Sequence, residues 1–175
     1  SADFIEILEN LKSEGKIRYY GVSCETLEDA MLCLRYSGIS SLQIGVGLLD
    51  PEALQSAIPD AANHGVAIIA RGCFGGGLLK PDIDIEKLKL ETLKWPTIAA
   101  CRRIADQNNR SLLEMALQFV LSAECVTTTL LGMRTANHLA ENLRYASADR
   151  ISPSEMDALH SAITNNFPIS RETIM

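Results

Sequence analysis

The chain is short of positive charge, of paired cysteines and of long apolar runs, and each shortage argues against a class of function. Its 175 residues carry 16 Lys and Arg against 22 Asp and Glu, a net charge of −6. A nucleic-acid footprint needs a basic patch, so this balance argues against DNA or RNA as a partner. No apolar run approaches the roughly 20 residues of a membrane span. The opening stretch SADFIEILENLKSEGK has no basic region leading into an apolar core, so it does not read as a signal peptide. The five cysteines (Cys24, Cys33, Cys73, Cys101, Cys125) are odd in number, scattered and never spaced CxxC. That pattern suits separate thiols in a reducing cytoplasm, not a disulfide framework, and no metal-ligand set is read. Linker-like and low-complexity stretches are also missing, so one domain over residues 1–175 is expected.

What the chain does have is a repeating unit of helix, glycine and short β-rich run. Hydrophobic residues make up 47% and charged residues 22%, enough for a real core. In DFIEILENLKSEG, Phe4, Ile5, Leu8 and Leu11 keep helical spacing and Gly15 supplies the stop. A chain that opens on a helix with no lead-in is expected to be part of something longer. Gly15, Gly38 and Gly65 each sit between a helix and a strand, where positive φ is needed. Four strands are expected at about 17–23, 41–47, 66–71 and 126–131. Strands alternating with helices predict parallel βα units with helices covering the sheet. Ser111 with Glu114, and Ser152 with Glu155 around Pro153, are capping-box patterns. The stretch LLKPDIDIEKLKLETLKWP, long and charged, reads as a loop or frayed helix, followed by a helix over TIAACRRIADQNN.

In parallel α/β architectures ligands bind at the C-terminal ends of the strands. Three loops there are rich in small or polar residues: GVSCETLED, RGCFGGGLL and LGMRTANHLAEN. The glycine cluster could bring bare backbone N–H groups close to a phosphate. It is neither a GxGxxG fingerprint nor a Walker loop, and a flexible turn explains it equally well. The third loop carries more. Thr135 can cap the following helix, leaving first-turn N–H groups outward, and Arg134 adds a fixed cation. Arg134, His138 and Asn142 share one face, while Leu139, Leu143 and Ala146 form an apolar stripe expected to face the sheet.

GKIRYYGVS, SLQI followed by LLD, HGVAIIARGCFGGGLL, SLLEMALQFVLS, LLGMRTANHLAENL and ISPSEMDAL occur in this order. Over nearly the whole chain they resemble the second half of the aldo-keto reductases, NADPH-dependent enzymes on a (β/α)8 barrel that reduce aldehydes and ketones. The resemblance implies an α/β fold made of four parallel (β/α) units, the C-terminal half of such a TIM barrel. It implies NADP as cofactor and a small-molecule carbonyl substrate. Ser23 and Gln43 match positions that hold the nicotinamide carboxamide. Arg71 stands where the family often has a ring-stacking tyrosine and where many relatives carry arginine. Gly72, Cys73, Phe74, Gly75 and Gly77 match the loop over the pyrophosphate. Gly132, Met133 and Arg134 match the segment around the 2′-phosphate, with His138 where some members use a phosphate-binding arginine. Glu141 and Asn142 match the pair near the adenine. Cys24 and Gly47 both depart from usual asparagines.

The family's catalytic aspartate, tyrosine, lysine and histidine lie before the region corresponding to Ser1, and Tyr19, Tyr20, Tyr36 and Tyr145 match none of them. Tyr19 and Tyr20 read as part of the first strand, and Tyr36 and Tyr145 as helical. The resemblance therefore implies the cofactor-binding half of a cytoplasmic reductase, completed by a missing N-terminal half or by a second copy as a homodimer. The alternatives are an inactive half-barrel module that holds a nucleotide or phosphate, and a free-standing doubly wound protein. An open four-strand piece would expose strand residues such as Ile17, Val22, Leu42, Ile44, Ile68 and Val126 and so favour association.

Overall fold

A computed structural model describes residues 2–84 and 93–166. The helical spacing of the opening stretch becomes α1 (Ala2–Ser13). It ends at Gly15, whose φ of 72° lets the Lys16 N–H turn back to the Leu11 carbonyl at 3.0 Å. Two βα units and a third strand follow: β1 (Gly21–Ser23), α2 (Leu27–Cys33), β2 (Ser41–Gly45), α3 (Ala57–Asn63) and β3 (Ala67–Arg71). After β3 the chain makes a 3-10 turn at Gly75–Gly77. It continues through α4 (Trp95–Gln107), α5 (Leu112–Leu121), β4 (Thr128–Thr129), α6 (Ala136–Ala146) and α7 (Pro153–Asn166). The four strands form one parallel sheet in the order β1-β2-β3-β4. None of the helices among the described residues is long and apolar enough to cross a membrane. Residues 85–92 of the charged insert lie outside the described residues.

The caps follow the sequence pattern closely. Thr26, Ser111 and Thr135 each accept the N–H three residues on, from Asp29, Glu114 and His138. The box at α7 closes in both directions, Ser152 N–H to Glu155 at 2.7 Å and Glu155 N–H to Ser152 at 3.3 Å. The expected box at α5 is only half made. Glu114 does not reach back to the Ser111 N–H; its carboxylate takes a bond from Arg110 at 2.9 Å instead.

Several expectations need correction. The edge strands are shorter than predicted, at Gly21–Ser23 and Thr128–Thr129: ladder bonds from flanking amides reach only to Cys24 beside β1 and to Thr127 and Leu130 beside β4, and the amides farther out go elsewhere. Ile17 N–H bonds the end of α1 and Val126 N–H closes a turn on Ala123. Tyr19 and Tyr20 thus precede β1, and Tyr36 follows α2. Gly65 has the predicted positive φ, but Gly38 does not. Gly38 is there for space, since a Cβ would collide with the Glu9 carboxylate and the Tyr20 hydroxyl, which are hydrogen-bonded to each other.

The sheet also turns its faces differently from the expectation. Leu42, Ile44 and Ile68 are fully buried beneath the helices, and Ile17, Val22 and Val126 pack half-buried against the same core. Alternation along β2 and β3 leaves the opposite face to Ser41, Gln43, Gly45, Ala67, Ile69 and Arg71, all half-exposed. The uncovered face is therefore mostly small or polar, with Ile69 its one large apolar side chain in β2 and β3. Several large exposed apolar side chains flank the first and last strands in the sequence, while Met31, Leu32, Tyr36 and Leu93 are exposed elsewhere. Phe4, Ile7 and Tyr19 lie on and just after α1 before β1, and Leu130, Met133, Leu139 and Leu143 on or after β4.

Helix α5 is buried almost all round, including Met115, Leu117, Phe119, Val120 and Gln118. A fully buried glutamine must spend its polar atoms on partners. The Gln118 Nε2 donates to the carbonyls of Tyr145 at 2.6 Å and Ala148 at 3.2 Å, and its Oε1 accepts from Arg150. These carbonyls lie at and just past the end of α6, where a helix has no internal donors left. Gln118 thereby pins α6 to the core. Arg110 fastens the adjoining corner through Glu155 at 3.0 Å, Glu114 at 2.9 Å and the Asp149 carbonyl at 2.8 Å.

Candidate functional site

The strand C-termini open onto a cleft of about 700 Å³, within the range of small-molecule and cofactor sites. Its floor is the loop after β3. Gly72, Gly75, Gly76 and Gly77 all have positive φ, so only glycine fits this backbone without strain. The Gly75 and Gly77 amides are used inside the loop, on the carbonyls of Gly72 and Phe74. Cys73 is buried beneath it, and burial pushes its thiol up to about 12. This is a packed, unreactive sulfur.

The opposite wall is the start of α6. Thr135 caps it, and the Arg134 N–H donates to His138 Nδ1 at 3.2 Å. That bond makes Nδ1 the acceptor, so a neutral His138 carries its proton on Nε2. The Arg134 guanidinium is exposed and has no hydrogen bond or ion pair among the described residues. Asn142 lines the same cleft, is 6% exposed, and its Nδ2 has no hydrogen-bond partner among the described residues. A buried amide without a partner is costly unless water or a ligand atom meets it, and Asn142 alone of the unsatisfied buried side chains among the described residues lines this cleft.

The predicted site residues fall into two groups. Gly72, Cys73, Phe74, Gly77, Gly132, Met133, Arg134, His138, Glu141 and Asn142 line the cleft. Gly75 belongs to the same loop but packs toward Leu49. Ser23, Gln43 and Arg71 lie outside the cleft, Ser23 at the end of β1, Gln43 opposite it in the middle of β2 and Arg71 at the end of β3. Ser23 donates to the Gln43 Oε1 at 3.2 Å, and Arg71 donates to the Cys24 carbonyl at 2.9 Å and pairs with Glu25 at 3.3 Å.

The expected orientation of α6 is reversed. Leu139 and Leu143 are exposed, and the helix turns Asn142 and Tyr145 inward. The shared face of His138 and Asn142 is the inner one, which brings both into the cleft.

The structure adds residues that sequence reasoning missed. Lys80, Pro81 and Asp82 reach the cleft from the insert, Leu113 from α5, and Tyr145 from α6. A cation three residues past a glycine cluster was the available signal for Lys80. The four tyrosines sit in different settings. Burial and the hydrogen bond to Glu9 push Tyr20 up to about 12. Tyr145 is largely buried along the cleft wall, Tyr19 is exposed, and Tyr36 lies at the surface.

Comparison with known proteins gives this geometry a context. A family model described as Aldo/keto reductase family matches residues 1–164. The uncharacterized oxidoreductase YqkF of Bacillus subtilis is 30% identical over 165 residues, covering 90% of this chain and 54% of that protein. Protein tas of Escherichia coli is 27% identical over 188 residues, covering 95% and 54%. Among solved structures, the aldo-keto reductase AKR11C1 from Bacillus halodurans in its holo form superposes with a TM-score of 0.72 at 27% identity. It covers 90% of this chain and 54% of that one. The chain spans about half the length of the curated relatives it matches.

Proposed function

The chain belongs to the aldo/keto reductase family, and on that premise we propose that it is the cofactor-holding C-terminal half of an NADPH-dependent carbonyl reductase. The observation that carries this reading is the convergence in one cleft, beside a glycine loop, of the Arg134 cation and the Asn142 amide, both without a partner among the described residues. In it, Arg134 meets the 2′-phosphate, helped by the first-turn amides of α6. His138 offers its Nε2–H beside it. Asn142 and Glu141 take the adenine edge, and Lys80 and the loop from Gly72 to Gly77 meet the pyrophosphate. Ser23 and Gln43 hold the carboxamide of the nicotinamide, with Arg71 beside the ring. NADP(H) bound there would supply the hydride for reducing an aldehyde or ketone. In this reading the proton for the carbonyl oxygen comes from the other half of the barrel, where the resemblance puts the catalytic tyrosine.

The exposed Phe4, Ile7 and Tyr19 before the first strand and Leu130, Met133, Leu139 and Leu143 after the last support a chain whose sheet continues on both sides. We assign that continuation to the rest of the barrel in a cytoplasmic enzyme. Without it, a second copy of this chain takes its place as a homodimer. Titration with NADPH and NADH, followed by nicotinamide fluorescence, tests the cofactor reading. Tighter binding of NADPH is expected, and equal affinity for the two, or none for either, would overturn it.

A further inference from the structure

Eight residues separate Cys24 from Cys33 in the sequence, and nothing in that spacing suggests a pair. The fold brings them together. Cys24 follows β1 and is 2% exposed, Cys33 ends α2 and is half-buried, and their Sγ atoms lie 3.9 Å apart. None of the other cysteines is seen in contact with a second sulfur among the described residues: Cys73 and Cys101 are buried and Cys125 is exposed. Cys24 is also wired to the proposed nicotinamide end. Its N–H donates to the Gln43 carbonyl at 2.9 Å, and its own carbonyl accepts from Arg71 Nη2 at 2.9 Å.

We propose that Cys33 and Cys24 form an oxidant-sensitive dithiol that a hydroperoxide closes to a disulfide, displacing the Cys24 carbonyl from Arg71. The Cys33 thiolate attacks the terminal peroxide oxygen. The O–O bond breaks, the alkoxide or hydroxide leaves and is protonated, and Cys33 becomes a sulfenic acid. Cys24 Sγ then attacks Cys33 Sγ. The S–O bond breaks, and the departing hydroxide takes up the Cys24 proton and leaves as water. Two thiols and one hydroperoxide give one disulfide, one alcohol or water, and one further water; the sulfurs lose two electrons and the peroxide gains them.

The order of events follows from the surroundings. Burial, with Cys33 and Asp29 nearby, pushes the Cys24 thiol up to about 12, so it is a poor first nucleophile. Cys33 is the sulfur that solvent reaches, and Cys24 resolves the intermediate. A disulfide needs the two sulfurs at about 2 Å. Closing from 3.9 Å brings the sulfurs about 2 Å nearer, and the Cys24 carbonyl that Arg71 holds belongs to one of the two residues that must adjust. The chemical step stands on the sulfur geometry alone; its effect on the cofactor rests on the functional reading above.

Both cysteines lie on one tryptic peptide, Tyr19–Arg35, because no Lys or Arg falls between them. The full chain is treated with a small excess of hydrogen peroxide, alkylated in denaturant and digested. The expected product is that peptide, unalkylated and short of two hydrogens, recovered in the dialkylated form after dithiothreitol. Cys33→Ser and Cys24→Ser must each abolish it. Oxidation confined to chain-to-chain links through Cys125, or sulfinic acid at Cys33 in place of the disulfide, overturns the proposal. A second arm compares NADPH binding by the oxidised and reduced chain. Loss of one charged hydrogen bond should weaken the oxidised form by about tenfold, and dithiothreitol should restore it. Equal affinities with the disulfide formed would refute the coupling. No NADPH binding by either form, with the disulfide still made, would refute the cofactor reading and leave the dithiol chemistry standing.

Discussion

Replacing Arg134 with alanine separates a phosphate site from a merely polar helix start. Arg134 immediately precedes the N-cap of α6, whose Ala136 and Asn137 amides have no partner within the helix. It competes with no carboxylate for its donors among the described residues. A charge-assisted hydrogen bond to a phosphate contributes about 1.5–3 kcal/mol. Arg134 is exposed, so solvent and salt screen part of this and the lower end applies. About 1.5 kcal/mol corresponds to roughly a tenfold weaker dissociation constant for NADPH. NADH lacks the 2′-phosphate and should bind the variant and the parent alike. Arg134→Lys should fall between, keeping the charge but losing the fork geometry. Fluorescence titrations at low and high salt supply the measurement, with a steeper salt dependence for the parent than for Arg134→Ala. Equal losses for NADPH and NADH would mean that the residue acts on the helix and not on a phosphate. No loss for either would remove Arg134 from the site.

Glu155 should set part of the acid limit of stability. Its burial opposes the charge, but the Ser152 amide and hydroxyl and the Arg110 guanidinium outweigh that and hold its carboxyl below the usual carboxylate value. Its stabilisation is therefore complete above the unfolded value, near 4.3, and is lost as the pH falls through the lower folded one. Urea melts across that window should show a flatter pH dependence for Glu155→Gln, and Glu155→Ala should cost about 3–5 kcal/mol at neutral pH. Gln118→Leu leaves the Tyr145 and Ala148 carbonyls without their donor, and a loss of about 1–3 kcal/mol by denaturant unfolding is expected. An unchanged midpoint would show that Gln118 does not pin α6. Gly38→Ala places a methyl against Glu9 and Tyr20 and should cost about 1–3 kcal/mol, read as a lowered midpoint in thermal unfolding. Finally, the isolated chain should oxidise NADPH no faster than a heat-killed control with a panel of aldehydes; turnover that survives repurification would refute the assignment of the proton donor to the other half.

Much of the architecture was legible because it is local. Thr135 caps α6 and Ser152 with Glu155 boxes α7 through bonds reaching three residues, so a short window contains both partners. The parallel order of four strands followed from helices regularly alternating with apolar runs. The segments that line the cleft were legible too, as small and polar residues just past strand ends. Periodicity could say which side chains share a face, but not which way the face turns. On α6 the apolar stripe of Leu139 and Leu143 pointed toward the sheet by pattern, yet these residues are exposed near the last strand. Gln118, 24 residues before Asn142, fixes the helix with Asn142 and Tyr145 inward. In β2 and β3 the same parity question put Leu42 and Ile68 under the helices and left Gln43 and Ile69 on the open face. The approach of Cys24 to Cys33, the entry of Lys80 into the cleft and the stranded amide of Asn142 are likewise contacts between elements. Local sequence determines where helices and strands begin and end; only long-range packing, which must satisfy every buried polar group at once, decides what each face meets.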